Sequence, residues 1–365
     1  MLEMNKQFYK VGIVGATGMV GQRFVTLLSE HPWFEISCLA ASGRSAGKTY
    51  AEAVGGRWAF DWAIPANVAG MTVVDAANVE RVADMCDFVF CAVNMDKAEC
   101  RALEEAYARA ETPVVSNNSA HRWTPDVPML IPEINFAHAG AIEHQRARLG
   151  TKRGFIAVKP NCSIQGYVPP LTPLREFGIE RISVCTYQAI SGAGKTFKTW
   201  PEMVDNVIPF IGGEEEKSER EPLRIWGELK DGVIVPAESP IISAQCIRVP
   251  VSDGHMAAAS VSFEKKPSRD EILARWSEWT TEPQKLKLPS APTPFLKYFE
   301  EDNRPQTRLD RDFERGMGVT IGRLREDNIF DYKFVALAHN TLRGAAGGGV
   351  LSAEYLAATG YIERK

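Results

Sequence analysis

Val11-Gly12-Ile13-Val14-Gly15-Ala16-Thr17-Gly18-Met19-Val20-Gly21 is the stretch that decides the fold. Val11 to Val14 reads as a buried strand. Glycines follow at G-x-x-G-x-x-G spacing. Residues 18–30 then place Val20, Phe24, Leu27 and Leu28 on one helical face. Glycines between a strand and a helix allow a tight turn and close approach of backbone N–H groups to a pyrophosphate, and the helix N-terminus adds its dipole. Gly15, Thr17, Gly18, Met19 and Val20 are therefore candidate dinucleotide contacts. The spacing is not G-x-G-x-x-G, so a ligand-free Gly-rich turn stays open as the competing reading.

The pattern outward from this stretch alternates. Phe34 to Ala40 reads as a strand, Val79 to Met85 as a helix, Phe88 to Val93 as a strand, 96–110 as a helix and Pro113 to Ser116 as a strand. Such alternation argues for a parallel sheet with helices on both faces. After about residue 155 the strand-like runs lengthen and crowd together, at 181–189, 241–251, 257–264 and 317–324. These predict a mixed or antiparallel sheet. Asp270 to Thr280 reads as a helix, and Thr341 to Thr359 as a Gly/Ala-rich segment turning helical.

Composition removes several classes. The 365 residues carry a net charge of −4, with 45% hydrophobic and 24% charged residues. That is the range of globular proteins, not of a disordered chain or a fibre. No basic excess marks a nucleic-acid binder. No run approaches the ~20 apolar residues of a membrane helix. Met1 to Lys10 lacks the apolar core of a signal peptide. The seven cysteines form no C-x-x-C pair and no Cys/His zinc spacing, so no metal and a reducing cytoplasmic location are expected.

Four stretches carry chemistry. The second strand ends in Ala40-Ala41-Ser42-Gly43-Arg44-Ser45, without the acid that holds a ribose 2′-hydroxyl. Ser42, Arg44 and Ser45 suit a 2′-phosphate instead, which favours NADP; a solvated loop arginine is the alternative. Lys159-Pro160-Asn161-Cys162-Ser163 follows the strand-like Phe155 to Val158, and a run that can begin a helix comes after it. A thiol at a helix start has its thiolate stabilised, whereas a buried inert cysteine is the bland reading. Tyr187 to Lys195 ends a strand in a Gly-rich loop, and Arg248 to His255 sets a candidate anion clamp before a candidate base.

Together these stretches resemble the aspartate-semialdehyde dehydrogenases of archaea, fungi and some bacteria. Gly15–Gly21, Ser116–Arg122, Lys159–Ser163, Tyr187–Gly192, Glu214–Lys217, Arg248–His255, Arg304–Arg311 and His339–Gly344 carry the likeness in this order. The resemblance implies an α/β protein of glyceraldehyde-phosphate-dehydrogenase-like architecture. A Rossmann-type NADP-binding domain would cover 1–157 and a mixed-sheet α+β catalytic and dimerisation domain 158–340. A C-terminal helix, 341–365, would return to the first domain. It also implies homodimers or homotetramers.

The implied reaction is NADPH-dependent reductive dephosphorylation of L-4-aspartyl phosphate. Cys162 matches the nucleophile, His255 the acid/base, Gln188 the residue orienting substrate, and Arg248 the clamp on the α-carboxylate. Arg122 and Asn161 resemble the phosphoryl holders. Glu221-Pro-Leu-Arg224-Ile resembles a Glu-x-x-Lys-Ile pattern whose acid meets the substrate amine and whose lysine meets phosphate, with other registers open in the acidic run Glu214–Glu221. Ser191, Gly192 and Asn340 resemble contacts to the nicotinamide half. A malonyl-CoA or malonate-semialdehyde reductase is the nearest alternative. N-acetyl-glutamyl-phosphate reductase and glyceraldehyde-phosphate dehydrogenase share the logic but not the Arg248–His255 stretch. An NADP-binding sensor is the non-enzymatic alternative.

Overall fold

The computed structural model describes residues 8–365, so the reading of Met1 to Lys10 as leaderless falls mostly outside the described residues. The strands of the first half are β1 (Tyr9–Val14), β2 (Phe34–Ala41), β3 (Val74–Asp75), β4 (Phe88–Cys91), β5 (Val114–Ser116) and β6 (Ile156–Val158). They form one sheet in the order β3-β2-β1-β4-β5-β6, with every pairing parallel. Helices over both faces explain why β4, β5 and β6 are buried throughout. The strand order reverses between β1 and β4, where ligand crevices open in such sheets. The Gly15 turn lies there. Gly15 has φ of +90°, and a Cβ on it would come within 2.4 Å of the Ala92 carbonyl oxygen. Only glycine can make this turn.

The second half contributes β7 (Ile179–Gln188), β8 (Glu228–Lys230), β9 (Val233–Val235), β10 (Ile241–Arg248), β11 (His255–Phe263), β12 (Leu296–Phe299), β13 (Val319–Glu326) and β14 (Tyr332–Ala338). Six of them form a mixed sheet, β10-β7-β11-β14-β13-β12, while β8 and β9 pair as a separate ribbon. β10 stops at Arg248, short of the expected residue 251, because Pro250 has no N–H for a ladder. β12 and β14 were not anticipated; β12 follows the Pro-rich loop.

The helix Gly347–Ala358 is apolar nearly all round. Its Val350, Leu351 and Leu356 share a core with Val11, Ile13 and Phe24 beneath the first sheet. The chain thus returns to the first sheet after completing the second.

Candidate active site

Both sheets aim strand ends at one crevice. Gln188 and Arg248 are register partners at the ends of β7 and β10, and His255 opens β11 beside them. From the other side β6 delivers the Lys159–Cys162 loop. Cys162 Sγ lies 3.5 Å from His255 Nε2. The Ala189 N–H donates to His255 Nδ1 at 3.0 Å, so the neutral ring carries its proton on Nε2, facing the sulfur. Burial, reinforced by Arg248, pushes the His255 pKa down to about 3. The imidazole is neutral at physiological pH.

Two glycines allow this crowding. A Cβ on Gly192 would meet Arg248 Nη1 at 2.9 Å and His255 Nε2 at 3.0 Å, and one on Gly344 would meet Cys162 Cβ at 2.8 Å. The nucleophile candidate is also held from below. Asn161 Oδ1 accepts from both the Ser163 N–H and its hydroxyl, each at 2.7 Å. The Ser163 hydroxyl meets that of Ser218 on the helix Glu214–Ile225 at 3.0 Å.

One expectation about the thiol is corrected. Cys162 does not start a regular α-helix; it precedes a four-residue 3₁₀ turn, Ser163–Gly166, too short to supply a substantial dipole. Burial pushes the thiol above its ordinary range and Glu214 adds to that, while Lys159, Arg122 and Arg248 pull it back.

The acidic helix settles in a different register from the expected one. Glu214 stands among the site residues. It accepts from Gln188 Nε2 at 3.3 Å, from Asn161 Nδ2 at 3.0 Å and from Lys217 Nζ at 2.7 Å. Glu221 lies two turns further along and is already engaged. It pairs with Arg122 Nη1 at 2.9 Å and accepts the Asn161 N–H at 2.6 Å. Arg122 Nε donates to the Lys159 carbonyl at 3.0 Å. Glu221 therefore braces Arg122 and Asn161.

Arg224 is not brought to the site. Its guanidinium donates to the carbonyls of Thr124, Val127 and Ile234 at 2.6, 3.0 and 3.2 Å, tying the helix to neighbouring loops. Glu214-Glu-Glu-Lys217 carries part of the likeness, but neither Glu214 nor Lys217 was given a site role, although the stretch repeats the Glu-x-x-Lys spacing with a true lysine.

A cleft of about 550 Å³ continues from this cluster. It is lined by Met19, Val20, Arg23, Phe60, Ser191 and Gly192 among others. Asn340 bridges its floor: its Nδ2 donates to the Ser191 hydroxyl and its Oδ1 accepts the Gly254 N–H, both at 2.8 Å. Gly18 caps the helix Met19–Leu28 in an extended conformation with no side chain over its first N–H groups. These features fit a dinucleotide pyrophosphate. Arg44 and Ser42 are exposed on a turn closed by the Ser45 N–H to the Ser42 carbonyl at 2.8 Å. Asp75 lies beside that turn, its Oδ2 3.3 Å from where a Gly43 Cβ would sit, and was not foreseen.

Comparison with known proteins agrees with this layout. Residues 10–142 match the family model described as semialdehyde dehydrogenase, NAD binding domain, and 171–343 the model described as semialdehyde dehydrogenase, dimerisation domain. An aspartate-semialdehyde dehydrogenase of Methanothermobacter thermautotrophicus is 45% identical over 349 residues, covering 95% of this chain and 98% of the relative. One from Aspergillus fumigatus is 42% identical, covering 97% and 98%. The chain belongs to the aspartate-semialdehyde dehydrogenase family.

Among solved aspartate-semialdehyde dehydrogenases, the Candida albicans enzyme with NADP superposes with a TM-score of 0.87 at 39% identity, covering 98% of this chain and all of that one. The Vibrio cholerae enzyme II, complexed with ASA, gives 0.72 at 25% identity, covering 96% and 98%. Among the described residues no helix is long and apolar enough to cross a membrane.

Proposed function

We propose that this chain is an NADPH-dependent aspartate-semialdehyde dehydrogenase that converts L-4-aspartyl phosphate to L-aspartate 4-semialdehyde through a thioester on Cys162. The 3.5 Å approach of Cys162 Sγ to His255 Nε2 between Arg248 and Glu214 carries the reading. Cys162 attacks the acyl carbon and phosphate departs. A thioester carbonyl is electrophilic enough to be reduced, which a carboxylate is not. NADPH, when bound along the Gly15–Val20 turn and against Ser191, Gly192 and Asn340, supplies the hydride.

The neutral His255 ring offers its Nε2–H to the oxyanion that forms next to sulfur. Arg248 has one terminal nitrogen on the Ala189 carbonyl at 2.7 Å, which aims the rest of its fork at the substrate carboxylate. Glu214 takes the α-amino group, Gln188 orients the chain, and Lys217 with Arg122 and Asn161 holds phosphate. The product feeds lysine, methionine, threonine and diaminopimelate synthesis in the cytoplasm, a reducing location that suits seven free cysteines.

The two sheets support a division close to residues 157 and 340, the first sheet ending with β6 at Val158 and the second with β14 at Ala338. The half-buried outward face of the second sheet, with Cys185, Tyr187, Met256, Ala258 and Val335, is the contact for a homodimer, from which a tetramer can be built.

The test is NADPH formation at 340 nm from L-aspartate semialdehyde, NADP and phosphate, run beside malonyl-CoA with NADPH. Phosphate-dependent turnover of the semialdehyde supports the reading. Turnover of malonyl-CoA alone replaces the substrate and keeps the Cys162 chemistry. Silence in both arms with NADP bound leaves a sensor.

Two substitutions separate roles. Lys217→Met is expected to raise KM for phosphate at least about tenfold with the melting temperature kept. Arg224→Met is expected to destabilise by at least about 2 kcal/mol with that KM unchanged, since it strands several carbonyls. A selective loss of phosphate affinity in the Arg224 variant would return that residue to the site. Arg44→Asp is expected to weaken NADP binding roughly 10- to 100-fold, the loss of charge-assisted hydrogen bonds, and to leave NAD nearly unaffected. An unchanged NADP/NAD ratio in a direct binding measurement would count against that loop.

A further inference from the structure

Arg23 is a charged group of the cleft that the reaction described above leaves idle. It lines the cleft with Met19 and Val20. Its Nε is buried without a hydrogen-bond partner. Among the described residues the guanidinium forms no ion pair; Asp253 and Asp312 share the cleft but stay beyond pairing distance. Arg311, the other arginine lining this cleft, is already engaged. Its Nη1 donates to the Ser252 hydroxyl at 3.0 Å and to the Asp253 carbonyl at 3.1 Å.

What holds Arg23 is aromatic. Its guanidinium carbon lies 4.2 Å from the Phe60 ring centroid and 5.9 Å from that of Trp62, and the two rings stack at 4.7 Å. Stacking on a ring face restrains the side chain and leaves the in-plane N–H groups free for an anion. The aromatic loop is itself stapled to the start of the helix Met19–Leu28. Gln22 Nε2 donates to the carbonyls of Thr17 and Arg57 at 3.0 and 3.1 Å, and its Oε1 accepts the Ala59 N–H at 2.8 Å.

The helix directs the group the same way. Arg23 follows Met19 by one turn on the same face, and its Cα stands about 7.5 Å of axial rise beyond Gly18. Helical side chains lean toward the N-terminus, and an extended arginine covers most of that distance.

The charges of the cofactor point to the same place. In the proposed site Arg44 faces the 2′-phosphate, and Lys217 with Arg122 faces the phosphate of the substrate. The pyrophosphate, doubly negative, has backbone N–H groups and a helix dipole worth about half a charge.

We propose that Arg23 is a ligand of the dinucleotide pyrophosphate, held ready for it by Phe60 and Trp62. Its fork supplies the charge-assisted N–H donors that the helix end lacks. While the site is free, burial lowers the pKa of the guanidinium and the two carboxylates across the cleft, Asp253 and Asp312, raise it.

The inference rests on NADP lying along the Gly15–Val20 turn. Its test compares the Kd for NADP with the Kd for adenosine 2′-monophosphate, which carries the 2′-phosphate and no pyrophosphate. Arg23→Met should weaken NADP at least about tenfold and leave adenosine 2′-monophosphate within about twofold. Arg23→Lys, which keeps the charge without the fork, should lose less. The ligand-free melting temperature should stay within about 2 °C in both variants, since neither strands a partner in the protein. In the wild type, phenylglyoxal modification of Arg23, followed by mass spectrometry, should be blocked by NADP and by inorganic pyrophosphate but not by adenosine 2′-monophosphate.

An unchanged NADP affinity in Arg23→Met overturns the proposal. So does an equal loss for both ligands, or a ligand-free melting temperature several degrees lower, either of which would make Arg23 a structural group. Modification of Arg23 at the same rate with and without NADP overturns it even if neither variant folds. Gly18→Asp tests the placement of the cofactor. A Cβ there meets the Gly15 carbonyl oxygen at an ordinary 3.5 Å, and the added carboxylate should repel the pyrophosphate. NADP bound by that variant as by wild type would overturn the placement and the proposal with it, an outcome read separately from Arg23.

Discussion

Cys162→Ala is expected to abolish turnover, by about 10⁴-fold or more, in a protein that still folds and binds NADP. The size follows from removing the atom proposed to form the covalent intermediate; what remains is binding and oxyanion stabilisation, which act on a bond that nothing attacks. The fold should tolerate the change. The thiol is only partly buried, and its hydrogen-bonding role is confined to the His255 contact. The loop is pinned instead by Asn161 and Ser163. NADP affinity should stay within about threefold, since the proposed dinucleotide contacts belong to the Gly15–Val20 turn and to Ser191 and Asn340. The check is a semialdehyde assay alongside fluorescence titration with NADP. Activity within tenfold of wild type would refute the nucleophile role, and loss of NADP binding would show that the loop organises the cofactor as well.

Breaking the buried pair of Arg343 and Glu133 should produce the largest loss of stability. Arg343 Nη1 and Nη2 meet the two carboxylate oxygens of Glu133 at 2.5 and 2.7 Å, with side chains 1% and 0% exposed. Nε reaches Gln165 Oε1 at 3.2 Å, and the guanidinium lies 4.5 Å from the Phe295 ring centroid. One side chain thus joins the short helix Pro132–Asn135, the turn after Cys162, the loop before β12 and the start of the C-terminal segment. Glu133→Leu leaves that guanidinium buried without a counter-charge, which costs about 3–5 kcal/mol. The melting temperature should fall by on the order of 10 °C. Activity should fall too, because Arg343 precedes Gly344, whose backbone packs on Cys162.

The double variant Glu133→Leu/Arg343→Met should recover most of the stability, since apolar groups of similar volume need no pairing. Calorimetry on the four proteins of the cycle measures both effects. A Glu133→Leu protein that melts with wild type, or a double variant no more stable than the single, would show that the pair is incidental to the fold.

The legible part of this molecule was local. The Gly15–Gly21 turn could be read because its glycines answer a constraint inside a few residues: a positive φ at Gly15 and the approach of the Ala92 carbonyl. The expected helix at 96–110 is observed as Lys97–Arg109, and the strand 181–189 as Ile179–Gln188, since helix-forming composition marks the first and a strand-like run the second. Cys162, Gln188, Arg248 and His255 were legible as loop residues at strand ends, and the structure brings all four together. What failed was the acidic helix. Glu214 and Glu221 are both buried, as are Ser218 and Ile225, so they share one stripe two turns apart. Seven residues bring a helix back to nearly the same face, and no local pattern distinguishes one carboxylate from the other.

By itself, then, the sequence carried the two-sheet order and the dinucleotide turn, and it named Cys162, His255, Gln188 and Arg248 as candidates. Only the tertiary structure decided that Glu214 faces the site while Glu221 braces Arg122, that Arg224 ties loops together, that Ala189 turns the His255 proton toward sulfur, and that Lys159 is buried. The division has a physical basis. Backbone geometry and apolar period are set by neighbours in the chain, whereas the partner of a buried polar group is whatever packing brings within about 3 Å from far along it.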